Sequence, residues 1–489
     1  MDAREPEQGV GSGGTGGSAP RRGRGGRWGR RIGAAAVGVA VLAAGAVVVL
    51  GAEPEEEPAP RPAAGAPGSA AALAGLQARA RARPRDDGAW AELGAALVAR
   101  GVRTADAVYY PRAEGALRHS LKVRAAERGN VRALLAMAEL DHARGNFAAA
   151  GRAAEAVRKR TPDAWETYPL LIDTYGRLGD TKAAARTAEE LMERRGGAAA
   201  LGWTAQTYRD KGWREDAAVL ATEAVAAADG GPQKAEQLRR AGELAWERGD
   251  VTESLGYYDA SLGIERGQGA AVAGRARALA ALGRTAEAVK AYKSALVRLP
   301  RPEYALELGE LLEATTGDGD PQYGVARAQV EWNRRQGVRG NLVLGRLEAD
   351  HGDAETAVEL LREEFSRHPG AEVADALGWA LHRTGDDEAA LEYARRAVKE
   401  GARNALFLYH RGEIERALGE YGAARRHVTE ALRVHPAFSP LWAPRARTAL
   451  DRLGEPVEGG PRNVWGYRAK SPSAGTSGSR ATSNGPRRR

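Results

Sequence analysis

The 489-residue chain contains no cysteine, 62 glycines, 23 prolines and only 6% aromatic residues. Without thiols it has no disulfide scaffold, thiolate zinc site, iron–sulfur cluster or cysteine nucleophile. The formal charge of +8 is concentrated at the ends: residues 1–31 carry +4, residues 53–69 carry −3 and residues 455–489 carry +5. The body between them is nearly balanced, so the excess positive charge sits in the tails and no specific nucleic-acid partner is expected.

In chain order, residues 1–32 read as a disordered, basic cytoplasmic segment. Residues 33–52 are twenty consecutive small or apolar residues without a charge. As a helix they span about 30 Å, the thickness of a bilayer's hydrocarbon core. Arg21, Arg22, Arg24, Arg27, Arg30 and Arg31 precede them, and Glu53, Glu55, Glu56 and Glu57 follow. That bias predicts a single-pass cell-membrane anchor with the N-terminus cytoplasmic and everything after residue 52 extracytoplasmic. A cleaved signal peptide is the competing reading, although the apolar run is long for one and Leu50-Gly51-Ala52 fits a cleavage site poorly. Residues 53–69 hold five prolines among alanines and glutamates, which predicts an extended linker.

From residue 70 the pattern changes. Residues 70–83, stopped by Pro84, carry one apolar stripe and predict a capping helix. Turn signals then recur at Gly145, Gly179, Gly212, Gly249, Gly283, Gly319, Gly352, Gly385 and Gly419, at spacings of 34, 33, 37, 34, 36, 33, 33 and 34. Five residues after most of these glycines stands a small residue, such as Ala150, Ala184, Ala288 or Ala357. Another stands at the eighth position of most units, such as Ala138, Gly242, Gly309, Gly345 or Gly412, while one unit departs with Ile172. A glycine closing one helix, and in several units an Asn or Asp opening the next, describe a helical hairpin. Pro162, Pro300, Pro369 and Pro436 are placed to end second helices. The stretches 102–112 and 314–321 read as loop insertions, and residues 438–453 as a second cap. Residues 455–489, rich in Gly, Ser, Pro and Arg, read as a disordered basic tail.

This pattern resembles the tetratricopeptide repeat family, whose unit has small residues at these positions and a proline near its end. Residues 341–369 are a good example, and Trp90-Ala91-Glu92-Leu93-Gly94 opens like the family's first helix. The resemblance covers residues 87–436 in about ten units. It implies an all-α, right-handed superhelical solenoid over residues 70–454, capped at both ends.

No nucleotide loop, zinc-protease helix, nucleophile elbow or dinucleotide fingerprint is present, and repeats fill the body, so neither an enzyme nor a cofactor is expected. His351 with Asp350 and Asp353 is a weak ligand set better read as a solvated turn, so no metal is expected either. His368 and His435 read as helix-end residues meeting the last carbonyls. The resemblance implies instead a concave wall that binds a protein or peptide. Carried over position by position, that wall comprises Asp173, Arg177, Gln206, Arg209, Asp210, Arg239, Glu243, Trp246, Arg277, Glu310, Arg346, Trp379, His382, Arg383, Tyr409, Glu413 and Arg416. Trp246, Trp379 and Tyr409 read either as groove anchors or as packing between repeats. The Lys and Asn cluster with which some family members hold chaperone tails is missing.

The leading reading is thus a membrane-anchored scaffold or adaptor. Two alternatives stay open: a soluble or secreted regulator whose basic tails meet nucleic acid or anionic lipid, and an accessory subunit of a separate enzyme.

Overall fold

The computed structural model describes residues 69–455, which lie within one compact unit. The predicted anchor, the linker and both predicted disordered segments fall outside the described residues, apart from Ser69 and Glu455. Among the described residues no helix is long and apolar enough to cross a membrane.

The described residues form 22 α-helices, one short 3-10 turn at Ala126–Arg128, and no strand. A first helix, α1 (Ala70–Ala82), precedes ten hairpins. The first five are α2 (Asp87–Thr104) with α3 (Tyr109–Val123), α4 (Val131–Ala143) with α5 (Phe147–Arg160), α6 (Thr167–Arg177) with α7 (Thr181–Arg194), α8 (Gly197–Asp210) with α9 (Arg214–Ala226), and α10 (Gly231–Arg248) with α11 (Val251–Ile264). The next five are α12 (Gly269–Ala281) with α13 (Thr285–Arg298), α14 (Pro302–Thr316) with α15 (Asp320–Arg335), α16 (Asn341–His351) with α17 (Ala354–Arg367), α18 (Ala371–Arg383) with α19 (Asp387–Ala397), and α20 (Ala405–Ala417) with α21 (Tyr421–Val434). The last helix is α22 (Trp442–Leu453).

Alanine accounts for much of this. It has the highest helix propensity, and its single methyl lets helix axes approach closely. Ala276, Ala288 and Ala295 are completely buried between α12, α13 and their neighbours. The eighth-position glycines go further and admit a large side chain from the second helix. A Cβ on Gly242 would lie 2.9 Å from the Tyr258 ring, and one on Gly345 would lie 2.5 Å from Leu361. Asp180, Asp353 and Asp386 cap their helices by accepting from backbone N–H groups three residues on. Asn146 and Asp250 do not cap; they engage Asp141 and Arg248 instead. Helices α5, α13, α17 and α21 each end two residues before a proline.

Two expectations need correction. Residues 102–112 are a loop only at 105–108: α2 runs on to Thr104, where Gly101 leaves room for the Tyr110 ring, Ala105 takes the left-handed conformation that ends the helix, and α3 begins at Tyr109. Residues 314–316 likewise extend α14. The C-terminal cap is shorter than expected. It starts at Trp442, where Ser439 Oγ accepts from the N–H groups of Leu441 and Trp442.

The array also returns on itself. The turn inside each of the first five hairpins meets the chain leaving the hairpin five units later. Ala105 packs beside the cluster that contains Leu299. The Arg339 N–H donates to the Arg144 carbonyl at 3.0 Å, and Arg339 Nε donates to Asn146 Oδ1. Gly179 faces Pro369, Gly212 faces Gly401, and Gly249 faces Val434 and His435. At Gly249 the φ of 85° and a Val434 carbonyl oxygen 2.7 Å from any added Cβ both call for glycine. One superhelical turn therefore takes about five repeats, and successive turns touch.

Candidate functional site

The first helices of the hairpins supply the inner wall, and its charged side chains form a network along α6, α8 and α10. His142 Nε2 lies 2.7 Å from Asp173 Oδ2. Arg177 pairs with Glu372 at 3.0 Å across the superhelical turn. Arg209 pairs with Asp210 at 2.7 Å and Glu247 at 3.3 Å. Arg239 joins Glu236 and Glu243, and Gln206 Oε1 accepts from Arg240. Burial acts to raise the Asp173 carboxyl, but its hydrogen bond with His142 and the nearby Arg177 outweigh it and hold the group well below the usual carboxylate range.

Where the two superhelical turns face each other, a cavity of about 270 Å³ remains. Trp246 and Glu247 of α10, Arg277 of α12, Glu307 and Glu310 of α14, and Arg346 of α16 line one side. Glu372 and Asp375 of α18, Leu406 and Phe407 of α20, and the segment from His435 to Trp442 close the other. Most of the charges are already matched. Arg277 holds Glu307 with two hydrogen bonds, of 2.8 and 3.3 Å, and Tyr292 donates to the same carboxylate. Glu247 and Glu372 are taken by Arg209 and Arg177, and Asp375 lies 3.0 Å from His410 Nδ1. Of the described charged residues that line the cavity, Glu310 and Arg346 are left without an ion pair or side-chain hydrogen bond.

The electrostatics follow from this crowding. Burial pushes the Glu310 carboxyl up to about 8; Arg346 opposes the shift, while Asp350, Glu307 and Glu313 add to it. Burial also raises Glu247, against the pull of Arg209. His435 is pushed down to about 4 by burial and by Arg214, with Asp250 opposing. Its ring meets Trp246 edge-on at 4.3 Å.

Of the wall residues expected from the sequence, the fold thus brings Trp246, Arg277, Glu310 and Arg346 together at one cavity. Asp173, Arg177, Gln206, Arg209, Asp210, Arg239 and Glu243 form the network beside it. Trp379 and Tyr409 are 5% and 3% exposed, so packing describes them rather than groove exposure. Trp379 stacks on His410 at 4.1 Å, and its indole N–H donates to Asp350. Glu413 is buried and paired with Arg416, and His382 pairs with Asp387 in its own hairpin. Arg383 donates to the Ala349 carbonyl and does not line the cavity. His368 and His435 do not serve the last carbonyls. His368 contacts Glu364 and the Phe147 ring, while His435 accepts from the Ala437 N–H and contacts Trp246. His351 turns away from Asp353 to stack on Tyr323 and pair with Glu313.

The sequence profile of the tetratricopeptide repeat matches residues 274–320 and 342–405. The match supports that family. A search of curated proteins found no match. Among solved structures, the chain is similar to the APC/C hetero-tetramer Cut9-Hcn1, at 14% identity over 78% of this chain and 81% of that one, with a TM-score of 0.41. It is also similar to a tetratricopeptide repeat protein from Parabacteroides merdae ATCC 43184, at 17% identity over 53% and 99%, with a TM-score of 0.33. A third similar structure is yeast Tom70, at 13% identity over 78% and 95%, with a TM-score of 0.34. An all-α array of tetratricopeptide repeats suggests protein–protein interaction as its general role.

Proposed function

We propose that the array is a scaffold that takes up an extended segment of a protein partner along its inner wall, with the cavity at Trp246, Glu310 and Arg346 as anchor point. The observation that carries this is the pair Glu310 and Arg346. Where the other cavity-lining charged groups are held by ion pairs or hydrogen bonds, this carboxyl and guanidinium line the space with neither and act on each other only through their electrostatic field. Keeping a carboxyl there costs stability, which a purely structural wall would have no reason to retain. The cavity volume is near the lower edge of small-molecule pockets, roughly 300–1,000 Å³. It suits one or two anchoring side chains.

The test is a photo-cross-linking residue in place of Arg346, with a second in place of Val297, which is 76% exposed, as control. A partner captured from position 346, not from 297, and lost when Trp246→Ala is added supports the reading. Equal capture from both positions contradicts it.

We further propose that residues 33–52 anchor the chain in the cell membrane and hold the repeats on the extracytoplasmic side. The arginines before that apolar run and the glutamates after it support this reading. Reporter enzymes fused after residue 70 test it. Activity there of a reporter that works only in the cytoplasm would overturn the topology.

A further inference from the structure

We propose that the line of contact between successive superhelical turns is a gate: it parts to admit the partner segment to the inner wall, while the interfaces between neighbouring repeats stay intact. This rests on the inner-wall reading given above.

The two kinds of interface are built differently. Within a turn, buried apolar side chains such as Leu377, Trp379, Ile414 and Trp442 form clusters that run through consecutive hairpins. Extended helix-on-helix packing joins elements one or two places apart along the chain. Among the described residues, no apolar cluster draws buried members from repeats about five apart, the ones that face each other. The partly buried Ala105 and Val338 reach across instead.

What else crosses is a row of contacts between turns and connections. Arg339 donates to the Arg144 carbonyl and to Asn146, and Thr181 Oγ1 donates to Glu400. The Arg177 and Glu372 side chains that pair across the line are 44% and 62% exposed, and an ion pair so exposed adds little. Phe147 meets His368 and Trp246 meets His435 edge-on, at 4.6 and 4.3 Å. A repeat draws its stability from its neighbours, so a line held this way opens before any repeat unfolds. Small changes of twist at successive interfaces add up along the array and part the turns without breaking any one interface.

Entry of a guest calls for that movement. The cavity lies between the facing turns, and Arg177 of the wall already holds Glu372 of the other turn. The space takes one or two anchoring side chains, but the extended backbone carrying them needs about 5 Å more between the turns.

The experiment uses the full-length protein in detergent, with Thr181→Cys, Glu400→Cys and the photo-cross-linking residue in place of Arg346. The two thiols are capped with N-ethylmaleimide, joined by a short bismaleimide, or joined by a long flexible one. The short link should lower partner capture at least about tenfold relative to the capped protein, because the open form is no longer populated. The long link should restore it. Hydrogen exchange gives a readout that needs no partner: the Arg339 N–H should exchange at least about tenfold faster than the amides inside α16, and the short link should slow it. Equal capture by short-linked and capped protein overturns the gate and leaves the inner-wall reading standing. An Arg339 amide as protected as those inside α16, or equal loss of capture with the long link, overturns it as well. Failure to capture from position 346 in every state overturns the inner-wall reading, and the gate with it.

Discussion

The backbone N–H of Arg339 donates to the carbonyl of Arg144 at 3.0 Å, joining two connections that lie five repeats apart. A solenoid whose repeats touch only their neighbours would have no such bond. Contacts of this kind recur at Gly179, Gly212 and Gly249, so the inner wall is faced by the following superhelical turn over part of its length. That is why charges from α10, α14 and α18 come together at one cavity.

Turn glycines should therefore differ in cost. Gly212 and Gly283 both have positive φ, 78° and 74°, but only Gly212 has backbone of another repeat where a Cβ would go. Gly283→Ala should cost about 1–2 kcal/mol from backbone strain alone. Gly212→Ala should cost about 1–3 kcal/mol more from overpacking against Gly401. Urea titration of each variant measures the difference, and hydrogen exchange around residue 401 should speed up only in Gly212→Ala.

The two tryptophans should separate stability from binding. Trp379→Ala empties a buried site between His410 and Trp442 and should destabilise by about 3–5 kcal/mol. Trp246→Ala removes a half-buried ring at the cavity and should cost about 1 kcal/mol, while lowering partner capture. Thermal unfolding and cross-linking, run on the same two variants, check this. Equal destabilisation would mean Trp246 is a core residue too.

Mild acid should loosen the contact between superhelical turns. The folded His435 titrates at about 4, below the usual value near 6.5. The unfolded chain thus takes up the proton first, and the contribution to stability is fully present above pH 6.5 and lost as pH falls towards 4. The loss amounts to at most about 3 kcal/mol. Stability measured from pH 7 to 4 should fall more steeply in the unaltered protein than in His435→Gln.

Glu310 should behave in the opposite sense. Its folded carboxyl titrates at about 8, above the unfolded value near 4.3. The unfolded chain therefore ionises first, and stability declines as pH rises through that interval. Glu310→Gln should gain stability relative to the unaltered protein between pH 5 and 8 while capturing less partner. A variant that loses stability at pH 8 would show that Glu310 is a structural group.

The hairpins were legible because their cause is local: a turn glycine, a small residue at a fixed offset and a terminating proline leave a period that survives in the sequence. Trp246, Arg277, Glu310 and Arg346 could be placed on one wall only because the resemblance to the tetratricopeptide repeat family implies which positions of the unit face inward. Glu372, Asp375, Phe438 and Trp442 could not be assigned to that cavity, since they come from the next superhelical turn and no short-range pattern marks which repeats meet. The role of Gly212 or Gly249 as a seat for another repeat was hidden likewise, because the turn already accounts for a glycine there. Trp379 follows its eighth-position glycine directly and is packed by His410 and Asp350 of adjacent repeats, whereas Trp246 stands four residues after its glycine and meets His435 of the next superhelical turn.

The most direct test of the closed superhelix uses the absence of native cysteine. Thr181 and Glu400 lie on different superhelical turns with side-chain oxygens 3.4 Å apart. In the double variant Thr181→Cys, Glu400→Cys, a short bismaleimide should join the two positions within a single chain, rapidly and without loss of helical content. If the cross-link forms only between chains, or not at all, successive turns do not touch and the cavity they enclose does not exist.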